Sequence, residues 1–180
     1  MGEASAHRRV LCFVAAFSRY PEAIAWARHR LETHWGPLAL ESALFEFRET
    51  AFYESTMGPD LRKVLWAFQQ LIDPASLAPR KLLTNQWERE YAARYAGPEP
   101  RPLNLDPGYL TEAKLILAST KDRDHRIYLD QGVFAENTLY FHAGSWQKRP
   151  WTYPDYQRAD YHQFLVRCRE YYRSRKHEDS

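Results

Sequence analysis

The chain has 180 residues, enough for one domain with a substantial core and too few for two comfortable ones. Hydrophobic residues at 44%, aromatics at 15% and charged residues at 27% exclude a disordered chain, and a formal charge of +2 excludes a general field steering it to nucleic acid or anionic membranes. Any basic site is therefore local, and no apolar stretch approaches the ~20 residues that a membrane helix needs.

The first signal in chain order is HRRVLCFVAAFS, His7 to Ser18. Basic residues before an apolar run resemble a short signal peptide, but no A-x-A site follows and Arg19 interrupts at once, so Val10 to Phe17 reads as a strand buried on both faces. The expected location is cytoplasmic. After SRYP, Pro21 suits a first helical turn, and Ile24, Ala27, Leu31 and Trp35 recur at helical spacing up to Gly36. LALESALFEF then reads as a second strand, which makes an initial β-α-β unit. A second helix is expected from Asp60 to Ile72, where Leu61, Val64, Leu65, Phe68, Leu71 and Ile72 form one stripe and Pro74 closes it.

A third helix is expected to begin near Asn85, with Asn85 and Glu88 as a capping box and Trp87, Tyr91 and Tyr95 as the buried face. GPEPRP is a turn-rich connection, and NLDPGYL reads as a sharp turn at Pro107-Gly108. From Lys114 the pattern is a meander, Lys114 to Thr120, Arg126 to Leu129 and Val133 to Phe141, although Leu110, Ala113 and Leu117 would also fit a short helix. A last helix runs from about Asp160 with a basic end. The sum is an α+β fold: helices packed on a mixed sheet, with a C-terminal antiparallel meander and a final helix. One domain is expected over 1–180, with 1–8 as a flexible tail and 176–180 frayed. Cys12 and Cys168 have no CxxC or Cys/His spacing and are expected to be buried reduced thiols.

The densest polar cluster is STKDRDHRIYL, where Lys121, His125 and Arg126 crowd beside an apolar run. Donors of this kind converge on phosphate or carboxylate oxygens, and arginine adds a planar fork; the competing reading is a solvated turn. Thr120-Lys121-Asp122-Arg123 nearly spells the base-reading run of guanine-nucleotide proteins, but Arg123 stands where Asp is needed and no GxxxxGK[ST] loop exists. Asp106 supplies a carboxylate that either orients a ligand or merely closes a turn. Asp106, Glu136 and His125 are of the types that serve as acid/base groups or hard-cation ligands, but nothing in the sequence brings the three together. Lys81 and Thr84, with Asn85, stand where a strand is expected to give way to a helix, a place that favours an anion. WTYPDY offers rings that either stack on a ligand or plug one end of the sheet. No GxSxG elbow or activated cysteine supports a covalent mechanism.

The chain resembles a prokaryotic family, domain of unknown function 4416, over nearly its whole length. The runs that carry the resemblance are FEFRETAFYESTMG, KLLTNQWE, NLDPGYL, LASTKDRDHRIYL, GVFAENTLY and WTYPDY. The family often has an acidic residue before the Met57-Gly58 pair, where this chain has Thr56, which removes an acid/base role from that position. The resemblance implies a compact stand-alone protein and no established activity. A GTP-binding description attached to some members finds no footing here, because the phosphate loop is missing.

These readings converge on a site for a small anionic, phosphate- or nucleotide-like ligand. His125 and Asp106 are the expected proton-handling groups, and Lys81, Thr84, Tyr109, Lys121, Arg126 and Glu136 the expected ligand contacts. No metal and no particular cofactor is indicated. The alternative from another class is a non-catalytic interaction module built on surface Tyr and Trp; near-neutral charge and the lack of an RRM-type motif weigh against RNA.

Overall fold

The computed structural model describes residues 2–3, 6–50 and 52–176. Of the expected end regions, residues 1, 4, 5 and 177–180 lie outside the described residues.

One nine-stranded sheet carries the fold. Its strands are β1 (Val10–Ser18), β2 (Leu38–Glu41), β3 (Phe45–Glu46), β4 (Arg62–Ile72), β5 (Asn104–Leu110), β6 (Lys114–Ser119), β7 (Arg126–Asp130), β8 (Val133–His142) and β9 (Ser145–Lys148). The order is β2-β4-β1-β5-β6-β8-β7, with β3 beside β4 and β9 beside β8. Every described pairing is antiparallel, so the sheet is not mixed at the level of neighbours. The helices are α1 (Pro21–Trp35), α2 (Glu54–Met57), α3 (Leu77–Arg94) and α4 (Ala159–Arg175), and the class is α+β.

The first strand behaves as its continuous apolar run predicts. Leu11, Phe13 and Ala15 face α4 with Tyr161, Phe164, Leu165 and Cys168. Val10, Cys12, Val14 and Ala16 face α1 and α3, among Ala27, Leu31, Trp87 and Tyr91. Burial of both faces removes the need for alternation. Both cysteines are free and buried, and burial pushes the Cys12 thiol up to about 12.

The β1-α1-β2 unit exists in a split form. Both strands run antiparallel to β4, which is inserted between them, so they are parallel to each other without touching. LALESALFEF divides into β2 and β3, both borne on the same edge of β4.

Residues 62–72 form β4, not the expected helix. Leu61, Val64, Leu65, Phe68 and Leu71 fit a helical stripe, but Trp66 and Ala67 between them are buried too, leaving no polar face. Val64, Trp66 and Phe68 pack towards α1 while Leu65, Ala67 and Leu71 pack towards α4, the signature of a central strand.

Pro74 opens rather than closes an element. Asp73 accepts from the Ala75 N–H at 2.8 Å, a 3₁₀ turn follows over Pro74–Ser76, and α3 starts at Leu77, two turns before Asn85. Asn85 and Glu88 are therefore interior helix residues and not a capping box. The C-terminal meander and α4 lie where the sequence places them, within a residue or two.

Candidate functional site

NLDPGYL is strand β5, not a turn, and it opens the site. On one side β5 pairs with β1 along its whole length, from Asn104↔Phe17 to Leu110↔Leu11. On the other it pairs with β6 only from Gly108↔Leu117 to Leu110↔Leu115, whereas β6 continues against β8 as far as Ser119↔Phe134. The sheet thus splits into two halves that meet at Gly108. A Cβ there would lie 2.2 Å from the Ile116 carbonyl oxygen, so only glycine lets the two strands close at the vertex. Pro107, lacking an N–H, removes one donor from the open edge.

Splitting a sheet leaves main-chain groups without partners, which is costly unless something replaces them. Two α3 side chains do so at Leu105. Its N–H donates to Glu88 Oε1 at 2.7 Å, and its carbonyl accepts from Lys81 Nζ at 2.9 Å. Helix α3 thereby stands in for the strand that β6 ceases to be.

A cavity of about 620 Å³ fills the split. One wall is the α3 stripe Lys81, Asn85, Glu88, Arg89 and Ala92, at helical spacing. The floor is Asn104 and Asp106 of β5 with Leu117 to Lys121 of β6 and its turn. The loop around Phe47, Phe52 and Tyr53 and the strap from Tyr153 to Tyr156 supply aromatic walls. WTYPDY is thus both a cover over the end of the sheet and part of the cavity lining. The strap is tied down by Lys63 to Asp155 at 2.6 Å, both side chains 4% exposed, with Lys63 Nζ over the Phe47 and Tyr156 rings at 4.8 and 4.6 Å.

Each carboxylate in the lining has a cation. Asp106 Oδ1 meets Lys81 Nζ at 3.1 Å, and its Oδ2 accepts from Asn104 Nδ2 at 2.9 Å; Asn104 Oδ1 in turn accepts from Arg101 at 2.7 Å. Burial by itself would lift the Asp106 carboxyl, but the charges of Lys81 and Lys63, with hydrogen bonds from Lys81 and Asn104, hold it below its ordinary value. Glu88 goes the other way: burial raises it, and Asp106 adds to the rise against the opposing pull of Lys81, the Leu105 N–H and Arg101. Glu136 Oε2 accepts from Arg126 Nε at 2.9 Å and lies 2.8 Å from Nη2, while Oε1 accepts from the Thr138 hydroxyl at 3.2 Å. Glu49 meets Arg158 at 2.7 Å. Three cations of the lining, Arg89, Lys121 and Arg123, form no ion pair among the described residues. Lys121 instead sits 4.7 Å over the Phe52 ring. Burial, followed by nearby carboxylates, pushes up the phenols of Tyr53 and Tyr156, which stay protonated.

Of the expected site residues, Lys81, Asp106, Lys121, Arg126 and Glu136 line this one cavity. His125 stands behind it, its Nε2 3.1 Å from Glu136 Oε2 and its ring stacked on Trp151 with centroids 5.0 Å apart. Thr84 is fully buried and donates to the Lys81 carbonyl at 3.0 Å, outside the lining. Tyr109 packs on the opposite face of the sheet, towards α3. Lys81, Thr84 and Asn85 are not at a helix N-terminus, so no free main-chain amides await an anion there. No group of three or more His, Cys, Asp or Glu side chains arranged for a metal ion occurs among the described residues, so Asp106, Glu136 and His125 do not form a cation site.

Glu88, Arg101, Asn104 and Lys63 are lining residues that the sequence reading missed. Glu88 was hidden behind its capping role and Lys63 inside a supposed helix. The spacing Lys81, Asn85, Glu88, Ala92 carried a usable signal, since it is one face of a helix begun two turns earlier.

An α+β domain with a split antiparallel sheet and a charged, aromatic-walled cavity at the split is the class that fold and site define. The chain belongs to the family described as Domain of unknown function (DUF4416), whose model matches residues 8–172. No protein of curated function and no solved structure matches it.

Proposed function

We propose that the cavity binds a small anionic ligand, phosphate-bearing and with an organic body that meets the aromatic walls. One observation carries this reading: the acids of the lining are all matched by cations, and Arg89, Lys121 and Arg123 remain without a counter-charge among the described residues. Cationic donors facing a recess favour an anion. The volume falls in the range of small-molecule pockets, which runs roughly from 300 to 1,000 Å³. The rings of Phe52, Tyr53 and Tyr153 suit a planar or sugar-like body.

The test is a thermal-shift screen against inorganic phosphate, pyrophosphate, nucleoside phosphates and sugar phosphates. At about a hundred times its dissociation constant a binder adds roughly 2.7 kcal/mol, which in a domain of this size raises Tm by about 5–10 °C. The double variant Lys121→Ala/Arg123→Ala should remove the shift while leaving the unliganded Tm within about 2 °C, because both side chains are exposed. A flat response across the panel, or a shift indifferent to the double variant, sinks the reading.

A second reading, an interaction module, is favoured by a separate observation. Strand β7 ends one side of the sheet and exposes Ile127, Tyr128 and Leu129 in succession, Ile127 at 73%. An open edge of this kind accepts an extended segment of another chain. Selection of displayed peptides against the wild type and against Ile127→Asp/Leu129→Asp tests it; no peptide that distinguishes the two would end it.

A further inference from the structure

The Glu88 carboxyl is held at one oxygen only. Oε1 accepts the Leu105 N–H, whereas Oε2 has no hydrogen-bond donor within reach among the described residues and its nearest cation there, Arg101, stands at 3.7 Å. The group lies on the α3 stripe that forms a wall of the cavity, between Lys81 of the same helix, Asp106 of β5 and Arg101 of the connection before it. An anion entering this space meets a carboxylate oxygen that accepts no hydrogen bond and has only the Arg101 guanidinium, at 3.7 Å, beside it. Two like charges there repel, and a proton on Oε2 converts the repulsion into an O–H donor aimed at the anion.

We propose that Glu88 takes up a proton when the cavity is filled, so that anion binding by this protein is proton-linked, with the neutral carboxyl as a ligand-binding donor. This inference rests on the anion-binding reading above and adds to it a role for one residue and a direction in pH. The balance is simple: a proton leaves solvent for Glu88 Oε2, an anion enters, and Oε1 keeps its bond to Leu105 throughout. Burial already favours the neutral form in the empty cavity, and an anion favours it further. Lys81 and Arg101 oppose the change but are themselves drawn on by Asp106 and Asn104. By reciprocity, protons strengthen anion binding as much as the anion strengthens proton binding.

The experiment measures dissociation constants by calorimetry for pyrophosphate and for sulfate, whose charge is constant across the range, from pH 5 to pH 9, in wild type and Glu88→Gln. Glutamine keeps an acceptor for the Leu105 N–H and presents a fixed donor in place of the O–H. In the wild type, sulfate affinity should fall by up to about tenfold per pH unit on the alkaline side, and calorimetry in two buffers of different ionisation enthalpy should show net proton uptake. In Glu88→Gln the sulfate profile should be flat and the uptake absent. Parallel profiles in the two proteins overturn the role of Glu88 while leaving the anion site standing. Absence of binding of either anion at every pH overturns the anion site and this inference together.

Discussion

Arg126 and Glu136 are 4% and 3% exposed and bound to each other through two guanidinium nitrogens. Removing one member strands the other, so Arg126→Ala should lower the unfolding free energy by about 3–5 kcal/mol, measured by urea denaturation at neutral pH. A loss below about 1 kcal/mol would mean that the pair is not formed in solution. The same result makes this residue a poor probe of ligand binding and the exposed Lys121 and Arg123 better ones. The two carboxyls of the α3–β5 wall respond to pH in opposite senses. Asp106 is held low, so its contribution to stability is complete above the unfolded value of ~3.9 and disappears as pH falls through its folded value. Glu88 is raised, so its contribution is complete below ~4.3 and disappears as pH rises through its folded value. Without added anion, Glu88→Gln should therefore match the wild type near pH 4 and be the more stable protein at pH 8; a difference of the opposite sign at pH 8 would contradict the burial of this carboxyl. At this scale the sequence spoke through incongruity. Lys81, Asp106, Lys121, Arg126 and Glu136 were visible because charge next to an apolar strand is unusual, while Glu88 and Lys63 were not, because their neighbours offered them ordinary roles.

Elements were legible where one physical signal dominated. Val10 to Phe17, α1 with its Pro start and Gly stop, and the β6 to β8 meander follow from run length, helical spacing and turn residues. Residues 62–72 were not, since an apolar run that is buried on both faces contains every period at once. Nor was β5: the Asp-Pro-Gly triplet signals a turn unless a neighbouring strand ends beside it, and the place where β6 parts from β5 is set by tertiary structure. The vertex offers the sharpest test of that account. In Gly108→Ala the added methyl would press on the Ile116 carbonyl at 2.2 Å, and a main-chain atom cannot rotate aside. A loss of about 2–3 kcal/mol is expected in denaturant titrations; a neutral substitution would show that β5 and β6 do not meet closely there.

On the scale of the whole molecule, the division of labour between the two faces explains how one sheet both folds and holds a cavity. The α4 face closes over Leu11, Phe13, Leu65, Leu110, Leu115 and Leu139, and at its far end gives way to Lys63, Asn104, Asp106 and Glu136 under the strap. On the other face α3 lies across both halves, packing on β5 while Trp87 and Tyr91 join the cluster under β1 and β4, and on β6 and β8 through Leu77 and Ala78. The split is therefore bridged by a helix rather than by main-chain ladder. The family match extends over residues 8–172 and so takes in both halves, the helix and the strap. Because Glu88 and Lys81 replace a strand at Leu105, the main-chain amide of that one residue carries a spectroscopic record of the cavity. The amide proton of Leu105 is shielded or deshielded by the charge on the carboxyl it binds. Its nitrogen and proton resonances should titrate with Glu88, shift when an anion enters, and fall still in Glu88→Gln, giving an internal reporter that needs no label beyond ¹⁵N and no knowledge of the natural ligand.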